Sequence, residues 1–74
     1  MRLVGEAYNE VIDVYVEEFE TEYGKHYRVS LQSPEKLEKQ EDNLLLDEAS
    51  DIFDEYVRVY DLSIESNPLD ILDE

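Results

Sequence analysis

The chain has no cysteine and no tryptophan, and its 74 residues include two glycines, two prolines and one histidine. Without cysteine, neither a disulfide framework nor a thiolate metal site can supplement the core of so short a domain. Gly5 and Gly24 alone cannot build a phosphate-cradling loop. With His26 as the sole histidine, Cys/His nucleophile pairs and zinc-ligand sets are excluded. His26 lies beside Lys25 at a turn and reads as a solvated residue. Ser30, Ser33, Ser50, Ser63 and Ser66 belong to no nucleophile motif. A catalytic carboxylate pair needs a cleft that drives two pKa values apart, and a domain of this size rarely has one. No calcium-type run of alternating oxygen ligands around a glycine is present. The expectation is a non-enzyme with no cofactor and no dedicated metal site.

Long apolar runs are also lacking, and nothing approaches the roughly 20 residues of a membrane-spanning helix. The opening Met1-Arg2-Leu3-Val4-Gly5-Glu6 reaches an acidic residue at once, unlike a secretory signal. An intracellular, cytoplasmic protein is expected.

Positive charge is scarce as well. Six Lys and Arg face 21 Asp and Glu, for a formal net charge of −15. The imbalance is uneven: residues 1–32 carry a net −4 and residues 33–74 a net −11. Seven carboxylates and no base lie between Lys39 and Arg58. Such a surface repels nucleic acid and anionic membranes, attracts basic partners from a distance and strains the fold by self-repulsion. Acidity for solubility alone is the plain alternative. Salt adaptation fits less well, because glutamates outnumber aspartates and large apolar residues remain plentiful.

What the chain does hold is apolar material: 42% of it is hydrophobic, including six tyrosines and two phenylalanines. That is too much for a wholly disordered acidic tail. The expected fold class is α+β, a small single domain with an N-terminal β-hairpin, an amphipathic acidic helix and a third strand. A mostly α bundle is the alternative. Residues 1–65 are read as the domain and residues 66–74 as an acidic-apolar C-terminal tail.

The first half admits two readings. As a helix, residues 6–23 would place Tyr8, Val11, Ile12, Tyr15, Val16, Phe19 and Tyr23 on one face. As a hairpin, Val11–Thr21 and Lys25–Gln32 would pair around Gly24, which supplies the positive φ of a tight turn. Val, Ile, Tyr, Phe and Thr dominate this stretch and suit a pleated surface. A helix would also set Glu18, Glu20 and Glu22 at its negative end with no base in the last turn. The hairpin is preferred.

In the second half, Ser33-Pro34-Glu35 reads as a helix start, continued by Leu37 to Gln40, with an interruption at Glu41-Asp42-Asn43. From Leu44 to Tyr56 the pattern is strongly helical. Leu45, Ala49, Ile52, Phe53 and Tyr56 share one side, while Asp47, Asp51 and Asp54, flanked by Glu48 and Glu55, share the other. Residues 56–64 either extend this helix or form a strand pairing with residues 26–31, with the strand slightly favoured. Asn67-Pro68 breaks the chain. A short similarity between residues 11–16 and 52–57 is read as chance.

The remaining chemistry is electrostatic. Carboxylates three or four residues apart on a helix lie roughly 4.5–6 Å apart along its axis, near the phosphate spacing of a nucleic-acid strand. A groove lined with Lys and Arg grips carboxylate and phosphate through the same geometry. Asp47, Glu48, Asp51, Asp54 and Glu55 are the candidate partner-binding residues, with Glu17, Glu18, Glu20 and Glu22 as a second patch. The expected function is an inhibitor that mimics nucleic acid and blocks the basic groove of a nucleic-acid-binding enzyme. In charge and length the chain is similar to the small acidic inhibitors that phages direct against restriction enzymes, CRISPR nucleases or uracil-DNA glycosylase, with no shared motif. The second reading is an antitoxin, immunity or adaptor protein docking on a basic partner, with Leu69, Ile71 and Leu72 of the tail inserted into a groove.

Overall fold

Residues 13–32, rich in β-branched and aromatic side chains, form a β-hairpin around Gly24. The computed structural model describes residues 1–69. Strand β1 spans Arg2–Tyr8, β2 Asp13–Thr21, β3 Gly24–Gln32 and β4 Leu37–Leu44; helix α1 spans Leu46–Tyr60 and β5 Ser63–Ser66. The strands form one antiparallel sheet in the order β4-β3-β2-β1-β5, so the fold is α+β. Among the described residues no helix is long and apolar enough to cross a membrane.

The hairpin of β2 and β3 sets the register for the rest. Thr21 faces Gly24 across the turn, leaving Glu22-Tyr23 as a two-residue loop. Gly24 has φ of 114°, a conformation side-chain-bearing residues rarely adopt. The Thr21 hydroxyl donates to the Gly24 carbonyl and accepts from the Tyr23 amide, each at 3.2 Å. Alternation then buries Val14, Val16 and Glu18 on β2 and Tyr27, Val29 and Leu31 on β3, all toward one face.

Helix α1 covers that face. It leaves the sheet at the β4 edge and returns at the β1 edge, so it must cross β3 and β2. Ala49 and Phe53 are its fully buried residues, and they join Val4, Ala7, Val14, Val16, Val29 and Leu31 in the core. A left-handed Asp61 (φ 54°) ends the helix, and the Leu62 amide bonds back to the Val57 carbonyl at 3.0 Å. β5 then pairs with β1. Past β5, Pro68 is buried against Gly5, where an added Cβ would stand 2.7 Å from its Cγ. The packed unit therefore runs beyond the expected boundary at residue 65. Residues 70–74, which include Ile71 and Leu72 of the proposed tail, lie outside the described residues.

Two sequence expectations differ from the fold. Ser33–Lys36 is a turn between β3 and β4 and not a helix start: the Ser33 amide donates to the Lys36 carbonyl at 2.9 Å. Serine followed by proline suits the first two positions of a β-turn as well as a helix cap, and the strand that follows decides between them. Residues 56–60 belong to α1, and the last strand, residues 63–66, pairs with β1 and not with residues 26–31. The open edge of β3 is already taken by β4. The similarity between residues 11–16 and 52–57 is, as expected, no structural repeat: the first stretch leads into a strand and the second lies in the helix.

Asn9 ties the turn between β1 and β2 to the last turn of α1. Its side-chain oxygen accepts from the amides of Val11 and Ile12, both at 2.7 Å, and its side-chain nitrogen donates to the Tyr60 carbonyl at 3.0 Å. Replacing Asn9 with alanine is expected to cost about 1–2 kcal/mol, readable as a lower urea midpoint, because two turn amides lose their acceptor. Asn9→Asp keeps the acceptor but loses the donor to Tyr60, so its cost should fall between the wild type and alanine.

Candidate functional site

The buried positions of α1 fix where its acids point. With Ala49, Ser50 and Phe53 facing the sheet, the helical repeat turns Asp47, Glu48, Asp51, Asp54 and Glu55 to solvent, and all five are exposed. Asp47 to Asp54 covers about 10 Å along the axis. Phe53, fully buried in the core, anchors the helix at the middle of this row. Arg58 is the single base of the helix and stands in its last turn.

The five carboxylates are not equivalent. Glu48 accepts a hydrogen bond from the Leu45 amide at 2.9 Å, satisfying one of the free N–H groups at the helix start. Asp47 shares the first turn, where the helix dipole favours negative charge. Asp51, Asp54 and Glu55 gain nothing from that end. Asp51 is three or four residues from Asp47, Glu48, Asp54 and Glu55, and each such like-charged pair costs roughly 0.2–0.5 kcal/mol. Asp51→Gln is therefore expected to stabilise the domain by about 1 kcal/mol, raising the melting temperature by roughly 4–8 °C at low salt. The gain should shrink in 0.5 M sodium chloride.

The field extends toward β4. Burial first, and then the charges of Glu41 and Glu55, push the Tyr56 phenol above its ordinary pKa. Tyr56, Glu41, Glu55 and Lys39 line a shallow groove between β4 and α1.

The hairpin acids do not form one patch. Glu17 and Glu18 are neighbours in a strand and so point to opposite faces of the sheet. Glu18 is buried on the helix side, accepts from the Tyr27 hydroxyl at 2.9 Å and pairs with Arg2 at 3.6 Å and Lys25 at 3.9 Å. Burial, followed by that hydrogen bond, raises the Tyr27 phenol pKa. Glu18 thus closes the core edge of the hairpin. Glu17 is half-buried on the opposite face, across from Arg28. Glu20 and Glu22 are exposed near the hairpin tip. Leu44 pairs with Tyr27, which brings the start of α1 to the same end of the sheet. Glu20 and Glu22 therefore share an end of the molecule with Asp47 and Glu48.

The sheet face away from α1 carries residues that the sequence reading did not group. Phe19 stacks on His26 with centroids 5.3 Å apart, and the Arg28 guanidinium lies 4.7 Å from the Phe19 centroid. His26 is thus half-buried and stacked, not simply solvated. Arg28 also forms an ion pair with Asp42. That hydrogen bond raises the Arg28 pKa and holds the Asp42 carboxyl below its usual range, with a second bond from Gln40 acting the same way. Glu6, Asp13 and Tyr15 lie farther along this face. Strand alternation plus the β2–β3 register is the signal that finds the residues of this face on β2 and β3; Glu6 joins them only through the pairing of β1 with β2.

In comparisons with known proteins, the chain matches no family model, no curated protein and no solved structure.

Proposed function

We propose that this protein is a non-catalytic acidic decoy of the cytoplasm, which occupies the basic nucleic-acid-binding groove of an enzyme, in the manner of an anti-restriction or anti-CRISPR factor. The observation that carries this reading is the outward row Asp47, Glu48, Asp51, Asp54 and Glu55 on a helix anchored in the core by Phe53. A helix already folded and packed on the sheet presents these acids without a backbone ordering cost on binding, which favours affinity, while their charge favours association rate. The row also includes repulsive pairs that folding alone does not reward. Glu20 and Glu22 at the adjoining end would extend the contact beyond the helix.

The reading predicts competition. A partner captured on the immobilised protein at about 0.1 M salt should be displaced by duplex or single-stranded nucleic acid. It should also be released near 1 M sodium chloride, where screening acts over roughly 3 Å. A partner that binds nucleic acid and this protein at once, or that stays bound in molar salt, would overturn the decoy reading. Deleting residues 70–74 should leave capture intact; loss of capture would favour an adaptor that docks through its tail.

A further inference from the structure

We infer that the sheet face opposite α1 is a second docking surface, whose occupant is an arginine-bearing basic segment of a protein partner. This inference does not rest on the helix reading, since it concerns the other side of the molecule.

Among the described residues, the helix and Pro68 both pack on the face of Val14, Val16 and Gly5, and no element covers the other. That other face is aromatic at its centre. Tyr15 is directly across from Glu6 on β1, and Asp13 and Glu17 are its same-face neighbours on β2. Partners directly across a sheet have Cβ atoms about 4.5–5.5 Å apart, and same-face neighbours along a strand are about 7 Å apart. Three carboxylates thus surround one half-buried ring. Tyr8 and Leu3, both exposed, extend the apolar surface along β1.

The charges select the occupant. None of the ion pairs among the described residues uses Glu6, Asp13 or Glu17. Arg28, the base on this face, pairs with Asp42 and lies across from Glu17, whose charge it also feels, so Glu6 and Asp13 are the carboxylates most open to an incoming base. The Tyr15 phenol pKa is raised by burial and then by Asp13 and Glu6, so the negative field converges on the ring. An incoming base would meet an aromatic face and carboxylates together. The chain already satisfies one guanidinium in this way, with Arg28 over Phe19 and paired with Asp42. Arginine suits such a cradle better than lysine, because its planar fork stacks on the ring and still pairs with a carboxylate. A second copy of this chain would bring another −15 of charge to the same surface. A nucleic acid or an anionic lipid would be repelled.

The test uses the full chain, labelled with nitrogen-15, titrated with two synthetic peptides at about 50 mM salt. One is an arginine–glycine repeat and the other its lysine counterpart. The expected result is that the arginine peptide shifts amide resonances of residues 6, 8, 13–19 and 28, and binds at least about fivefold more tightly than the lysine peptide. Glu6→Gln with Asp13→Asn, near-isosteric changes that preserve the fold, should weaken that peptide about tenfold or more. Asp51→Gln should leave it unchanged at this face. Shifts confined to residues 47–55 would overturn the inference and leave the decoy reading standing. Equal affinity for the two peptides, an unchanged affinity in the double variant, or no binding would also overturn it. Self-association on the same residues, read by light scattering without peptide, would replace the basic partner with a second copy.

Discussion

Phe53→Ala is expected to remove a large share of the domain's stability and to lower its urea midpoint sharply. Phe53 is the largest fully buried side chain of the domain, and it is the residue through which α1 grips the sheet. Truncating a buried phenylalanine to alanine typically costs 3–5 kcal/mol, the lost transfer energy plus the cavity left behind. A chain of this length has on the order of 4–11 kcal/mol to lose. No disulfide backs up the core, and fifteen uncompensated negative charges already work against compaction. The other core residues are mostly small, with Val4, Val14, Val16, Val29 and Ala49 prominent, so collapse into the vacated space is limited. Urea unfolding followed by far-ultraviolet circular dichroism reads the effect. Phe53→Leu, which keeps most of the volume, should cost only about 1 kcal/mol. A midpoint for Phe53→Ala within experimental error of the wild type would mean that α1 does not depend on this contact.

The elements with strong periodicity were legible in the sequence and the rest were not. α1 announced itself because acids and apolar residues separate cleanly from Leu44 to Tyr56. The hairpin did so through its β-branched and aromatic content and through Gly24. β1 went unnoticed: a register irregularity between Leu3 and Gly5 puts Val4 and Gly5, neighbours in sequence, both out of solvent and breaks the alternation. β4 was hidden for the opposite reason. As an edge strand it has no buried face, and Glu38, Lys39, Glu41 and Asp42 give it charge where a strand pattern needs apolar residues. The same logic applies to the candidate site. The exposed row on α1 follows from helical spacing alone. Grouping Glu17 with Glu18 did not survive folding, because adjacent strand residues face opposite ways. Glu6 and Tyr15 meet only through the pairing of β1 with β2, which no local pattern encodes.

Reversing Asp47, Asp51 and Asp54 to lysine together is expected to weaken the complex with a basic groove by at least about a hundredfold at 0.1 M salt. Each exposed charge pair contributes only up to about 1 kcal/mol, so a single neutralisation should weaken binding by less than about tenfold. Reversal differs from neutralisation, because it replaces three attractions with three repulsions inside a groove of fixed positive charge, where like-charge contacts cost several kcal/mol. The three positions are exposed and make no hydrogen bond that the fold uses, whereas Glu48 holds the Leu45 amide and is left in place. The helix should therefore persist, which circular dichroism checks directly. Two comparisons separate charge from shape. The triple asparagine variant should lose binding to an intermediate degree, and the difference between asparagine and lysine variants should close as salt approaches 0.5 M. If the lysine variant stays folded and binds as the wild type does, the outward face of α1 takes no part in recognition, and the partner must be sought on another surface of the molecule.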